Sequence, residues 1–124
     1  MAPRVVVLGG GFAGLYAARA FAHAPVELIV VDRTNHHLFQ PLLYQAATAV
    51  LAPSDIATPI RWLLRKQRNA SVVFAEVTAI DLAARTVTLD RAPDQLSYDY
   101  LIVATGARHA YFGHPEWEHL APGL

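Results

Sequence analysis

The hydrophobic period changes three times along the chain, and each change predicts a different kind of element. Arg4-Val5-Val6-Val7-Leu8 is a short apolar run ended by three glycines, and Glu27-Leu28-Ile29-Val30-Val31 is a second run ended by Asp32. Unbroken apolar runs of this length, bounded by glycine or a charge, read as strands buried on both faces in a parallel sheet. Between them Ala13, Ala17, Ala20 and Phe21 recur at helical spacing, which predicts a helix from about Ala13 to His23 that Pro25 stops. Residues 34–58 keep neither period. Thr34-Asn35-His36-His37 opens a loop, Phe39-Gln40-Pro41-Leu42-Leu43-Tyr44-Gln45 follows, Leu42 to Val50 has room for one short helix, and Pro53-Ser54-Asp55 marks another turn. A long connection rich in apolar and amide side chains reads as a functional cover, because its apolar content argues against disorder. Ile60 to Lys66, reaching to Arg68, is the next helix, with Pro59 where a missing N–H costs little. From Ser71 the pattern turns to strands at Val72–Ala75, Thr78–Leu82, Thr86–Leu89 and Tyr98–Val103, with Ala83-Ala84 and Asp90–Gln95 as turns. These strands make a small antiparallel excursion that returns to the parallel sheet through Leu101-Ile102-Val103.

The first strand, glycine turn, helix and second strand form a βαβ unit with the spacing of a dinucleotide site. Gly9 permits the tight turn out of the strand, Gly11 lets backbone approach a pyrophosphate, and Gly14 allows close helix–sheet packing. Phosphates then meet the free N–H groups and positive dipole end of the helix at Phe12 and Ala13, so no basic side chain is needed. Asp32 follows Gly14 by eighteen residues, where a carboxylate accepts both hydroxyl hydrogens of an adenosine ribose. Arg33 beside it raises the possibility of a 2′-phosphate, but Asp32 would repel that group, so free hydroxyls are favoured. Ala104-Thr105-Gly106 ends the returning strand at the sheet edge where open α/β folds bind ligands. The fold class is therefore α/β: a Rossmann-like parallel sheet with a small antiparallel β-meander.

Composition narrows the function further. Ten basic and ten acidic residues cancel, which excludes a nucleic-acid binder relying on phosphate neutralisation. The hydrophobic fraction of 54% is high, yet no stretch nears the roughly twenty apolar residues of a membrane span, so the excess belongs to a core or an interface. There is no cysteine, hence no disulfide, thiolate metal site or redox Cys pair within these residues. The first residues resemble a secretory leader only superficially. Cleavage near Ala22-His23-Ala24 would delete the strand and turn that Asp32 serves, so Met1 is expected to begin a cytosolic-facing domain. His109, His114 and His119 lie five apart, but Pro115 and Pro122 make the segment irregular, and solvated or capping roles are expected instead of a metal site. Arg61, Arg65 and Arg68 share a helix face that reads as solvated, with lipid contact the weaker alternative. Trp62 and Trp117 read as packing residues.

Three signals in order carry a family resemblance: the glycine fingerprint with Asp32, the Phe39-Gln40-Pro41-Leu42-Leu43-Tyr44-Gln45 segment, and Tyr98-Asp99-Tyr100-Leu101-Ile102-Val103-Ala104-Thr105-Gly106-Ala107. Together they resemble the start of type II NADH dehydrogenases, the single-subunit, non-proton-pumping NADH:quinone oxidoreductases. Tyr111-Phe112-Gly113-His114 and Ala121-Pro122-Gly123-Leu124 extend the resemblance over essentially the whole chain. The first and third signals are shared by many two-dinucleotide flavoproteins, whereas the second is specific.

The resemblance implies a non-covalent FAD with its adenosine end at Gly9, Gly11, Phe12, Ala13, Gly14, Asp32 and Arg33. It implies that the backbone of Val77, at the end of the third parallel strand, meets the adenine, that Gln40, Pro41, Leu42 and Gln45 run beside the flavin ring, and that Ala104, Thr105 and Gly106 line the cofactor. Hydride would pass from NADH to the flavin and two electrons to a membrane quinone, with no side chain here demanded as acid or base. Residues 1–124 then correspond to the N-terminal part of an FAD-binding domain, catalytically inactive alone. The NADH domain and a C-terminal membrane anchor would lie elsewhere in a homodimeric parent on the cytoplasmic face of the cell membrane. Two other readings remain open: a related flavin reductase serving a ferredoxin or sulfide, and a non-catalytic dinucleotide-sensing module, which would have no need of the apolar, amide-rich segment.

Overall fold

A computed structural model describes residues 1–124. Its centre is a four-stranded, all-parallel sheet of β1 (Arg4–Leu8), β2 (Glu27–Asp32), β5 (Ala70–Phe74) and β9 (Tyr100–Val103) in the order β5-β2-β1-β9. Register is fixed along the strands, with Val6 opposite Ile29 and Leu101, and Val30 opposite Val72. Helix α1 (Phe12–Ala20) crosses from β1 to β2, and α4 (Ile60–Leu64) precedes β5.

Side-chain alternation explains why β1 and β2 are apolar throughout. Val5, Val7, Leu28 and Val30 point to one face, where Leu15 and Ala18 of α1 and Ile60 and Leu64 of α4 cover them. Val6, Leu8, Ile29 and Val31 point to the other face, against Val87, Leu89, Leu96 and Tyr98. This second cover is an antiparallel sheet of β6 (Val77–Asp81), β7 (Thr86–Leu89) and β8 (Gln95–Ser97). The domain is thus three layers, with both faces of the central strands β1 and β2 covered, as buried parallel strands require.

Several boundaries differ from those the sequence predicts. Helix α1 ends at Ala20 rather than His23, and its buried stripe is Gly14, Leu15 and Ala18 rather than Ala13, Ala17 and Ala20. With alanine on every side of this helix, only the single Leu15 discriminates a face. The early ending is stabilised from outside: the Gln67 amide donates to the Ala18 carbonyl at 2.8 Å, and that of Asn69 to the Phe21 and Ala24 carbonyls at 2.9 and 3.1 Å. Each of these carbonyls also accepts a backbone N–H, from Phe21, Ala24 and Val26 in turn, so the amides add a second bond to every carbonyl of the helix exit. Helix α4 likewise stops at Leu64. Beyond it the Arg65 guanidinium lies 3.5 Å over the Trp62 ring, and Arg61 donates to the Val72 carbonyl, so two cations of the basic face are engaged locally.

The segment 34–58 is more ordered than its pattern suggests. Strand β3 (His36–Leu38) pairs antiparallel with β4 (Ala57–Pro59), enclosing a 3-10 turn at Gln40–Leu42 and the short helices α2 (Leu43–Ala47) and α3 (Pro53–Ile56). β8 also lies partly inside the predicted turn Asp90–Gln95, because a three-residue polar strand carries no period to read. At the amino end of the sheet Arg4 laces the layers: its N–H donates to Asp99, its Nε to Glu27 at 2.8 Å and its Nη1 to Ser97. No helix is long and apolar enough to cross a membrane.

Candidate functional site

A cleft of about 760 Å³ opens at the carboxyl ends of β1, β2 and β9. The turn after β1 forms its floor. Gly9 has φ of +101°, and its N–H donates to the Val31 carbonyl at 2.7 Å. A Cβ there would strike the Ala104 carbonyl, and one at Gly14 would overlap the Gly9 carbonyl oxygen, so both positions are fixed by the protein's own packing. At Gly10, which the sequence does not single out, a Cβ would meet side chains only, first the end of Ile60, which can shift. Gly11 differs, because a Cβ there meets no protein atom within 4 Å. Gly11 caps α1 in extended backbone, and Leu15 N–H closes the first turn on its carbonyl, leaving the preceding N–H groups directed to the cleft end.

Asp32 ends β2 in the cleft wall and already has a structural task. Its Oδ2 accepts the Gly10 N–H at 2.5 Å, and its Oδ1 accepts the N–H and hydroxyl of Thr34 at 2.6 and 2.7 Å. A carboxylate offers about four acceptor sites, so these bonds leave one open on Oδ2 rather than the two that an intact ribose clamp would use.

The cleft gathers Gly9, Gly11, Phe12 and Ala13 from the turn, Asp32 and Arg33 from the end of β2, and Ala104, Thr105 and Gly106 from the end of β9. Gln40 and Val77 also line it. Val77 is the first residue of β6 rather than the end of the third parallel strand. It hangs from the meander by the mutual bonds of Glu76 and Asp90: Asp90 N–H donates to the Glu76 carbonyl, and the Asp90 carboxylate accepts the Glu76 N–H at 2.8 Å. Gly14 lies beneath the turn and not in the wall. Pro41, Leu42 and Gln45 also lie outside it: the 3-10 turn at Gln40–Leu42 carries the chain away after Gln40, and Gln45 donates instead to the Tyr44 hydroxyl. Thr34, Glu76 and Arg108 line the cleft without having been read from the sequence. Only Thr34 carried a signal, as a hydroxyl two residues after an aspartate, the spacing of a local side-chain turn.

The histidines of the last segment stay apart from this cleft. His114 contacts Glu116 at 2.9 Å and stacks on Trp117, while the His109 Nε2 lies against the Leu124 carbonyl. Trp117 itself is 44% exposed.

The profile of the family described as "Pyridine nucleotide-disulphide oxidoreductase" matches residues 3–121. The chain belongs to this family. Among curated relatives of this pyridine nucleotide-disulphide oxidoreductase chain, the type II NADH:quinone oxidoreductase NdhA of Mycobacterium tuberculosis is 49% identical over 98% of the chain. The alignment covers 26% of that relative, and 27% of a second M. tuberculosis relative, Ndh, at 48% identity, so the chain spans about a quarter of the curated relatives it matches. Among solved structures, the sulfide:quinone oxidoreductase of Aquifex aeolicus aligns over 89% of the chain and 26% of its own length, with a TM-score of 0.78 and 29% identity. NDH2 of Plasmodium falciparum aligns over 91% of the chain and 24% of its own, with a TM-score of 0.83 at 21% identity, a likeness of fold. Although the family is named for a disulphide, this member has no cysteine among its 124 residues.

Proposed function

We propose that these residues are the N-terminal part of the FAD-binding domain of an NADH:quinone oxidoreductase, and that the cleft takes the adenosine and pyrophosphate of FAD. The observation that carries the reading is Gly11, a glycine that the protein's own packing does not require, at the head of a helix whose first N–H groups are free. A ligand that must approach the backbone closely explains the missing side chain, and an anionic one suits the helix end. The residues fit the group. Gly11, Phe12 and Ala13 would face the pyrophosphate, the open acceptor site of Asp32 would take one ribose hydroxyl, and the Val77 backbone would meet the adenine. Arg33, Ala104, Thr105 and Gly106 would complete the wall. When bound, FAD supplies hydride acceptance from NADH and electron delivery to quinone. The chain's task is to bind and orient it, and no residue here is required to move a proton.

The identities to two mycobacterial NADH:quinone oxidoreductases support NADH and a quinone as the partners of the whole protein. Gln40 in the cleft wall, with Pro41, Leu42 and Gln45 following, would lie toward the flavin ring. Peripheral attachment to the cytoplasmic face of the membrane and a homodimeric parent belong to the same proposal. The test is titration of the flavin-free, full-length protein with FAD and with ADP, followed by NADH oxidation with a soluble quinone. Saturable binding of both ligands and flavin-dependent turnover are expected. A protein that takes up neither ligand would overturn the proposal.

A further inference from the structure

His37 is buried, with 8% exposure, and the proposed function gives it no task. Its Nδ1 lies 2.9 Å from the Gly10 carbonyl oxygen. A carbonyl only accepts, so Nδ1 carries the hydrogen and donates. The ring is held in place: Phe12 meets it edge-on at 5.0 Å and 80°, and Phe12 in turn meets Phe39 at 5.4 Å. Strand β3 fixes the backbone of His37 opposite Thr58. Both polar groups of Gly10 are therefore tied, its N–H to Asp32 and its carbonyl to His37.

The consequence lies in the next peptide. The Gly10–Gly11 peptide is planar and trans, so its C=O and N–H point in opposite directions. His37 is not a cleft residue; it borders a separate hollow of about 300 Å³ behind the turn, with Leu15 and Ile56. With the Gly10 carbonyl turned back toward His37, the Gly11 N–H is aimed at the cleft. We propose that His37 is a positioning residue that sets this peptide, and thereby presents the Gly11 N–H to the ligand's pyrophosphate. The inference rests on the FAD reading above and adds to it a determinant behind the loop.

The experiment compares His37→Leu, which cannot donate, with His37→Asn, whose amide offers a donor near the position of Nδ1, in the full-length protein. FAD and ADP affinities of the flavin-free protein are read alongside the urea midpoint. Loss of one neutral hydrogen bond that orients a ligand-binding group corresponds to about a five- to tenfold weakening, expected in His37→Leu, with His37→Asn within about threefold of wild type. ADP should lose the same factor as FAD, because the effect is on the shared pyrophosphate. Wild-type affinity in His37→Leu would overturn the positioning role and leave the FAD reading standing. Equal losses in both variants that track a lowered midpoint would reduce His37 to packing, and a loss for FAD but not ADP would assign the effect to the Phe39 side, each overturning the inference. A wild-type protein that binds neither ligand would remove the FAD reading first and this inference with it.

Discussion

Gly11 and Asp32 are neighbours in the cleft, but substitution should separate them. A valine at Gly11 has room in the protein and extended backbone that suits it, so Gly11→Val should fold with nearly the wild-type urea midpoint. Its side chain would occupy the space proposed for the pyrophosphate, and flavin absorbance per mole of folded full-length protein should fall to background. Wild-type occupancy would remove the phosphate from this turn. Asp32→Ala should have two consequences, because the carboxylate holds the turn and, under the proposed function, the ribose as well. The stranded N–H groups of Gly10 and Thr34 should cost about 1–3 kcal/mol of stability, seen as a lower midpoint, and FAD affinity should drop by about ten- to hundredfold. An unchanged dissociation constant beside a lowered midpoint would make Asp32 a structural acid only. The glycines were legible from sequence because each has its own spacing in the fingerprint. His37 was not, because nothing in a His-His pair tells which ring turns inward until β3 has a partner.

Among the elements, the meander's attachment beside the cleft should respond to pH. The Arg91 guanidinium, hydrogen-bonded to Asp90, and then the Glu76 N–H hold the Asp90 carboxyl below its ordinary value of 3.8. A carboxyl lowered in the folded state contributes stability above its unfolded value, and loses it as pH falls through the lower folded one. The pair is exposed, so the contribution is small. Asp90→Asn should therefore unfold at a slightly lower urea concentration than wild type at pH 7, and the gap should close as the pH is taken below 3.8. A gap that persists in acid would mean that the carboxylate charge is not involved. Element legibility followed length and burial. β1 and β2, apolar on both faces, were plain in the sequence, and so was the βαβ unit they frame. The three-residue strands β3, β4 and β8 were not, since a period of two needs more residues than they have, and β4 ends in Pro59. The amides of Gln67 and Asn69 brace the exit of α1 from a distant loop, which no local pattern encodes.

At the scale of the whole molecule, a chain with one glycine fingerprint supplies one dinucleotide cradle, and transfer from NADH through FAD to quinone needs a second nucleotide site. Residues 1–124 expressed alone should therefore bind FAD weakly and oxidise NADH with a soluble quinone far below the roughly 1 per second of an ordinary enzyme. Turnover at that rate would show that one cradle suffices. Large apolar side chains also stand uncovered, with Phe112 and Leu120 88% and 85% exposed and Val103 62% exposed on β9, an edge strand of the parallel sheet. Such surface marks an interface or an aggregation hazard, so light scattering of the isolated chain should rise with concentration. The three-layer construction carries a further consequence. The meander is hydrogen-bonded as its own sheet, yet it contributes Val77 to a cleft whose floor belongs to the parallel sheet and the turn into α1. A layer that can detach as a unit exchanges its amide hydrogens at the rate of that detachment, and a ligand wedged between two layers ties the outer one down. Deuterium uptake at Val87 and Leu96, neither of which lines the cleft, should then slow when FAD binds. The back layer of the domain would act as a latch whose closure can be timed.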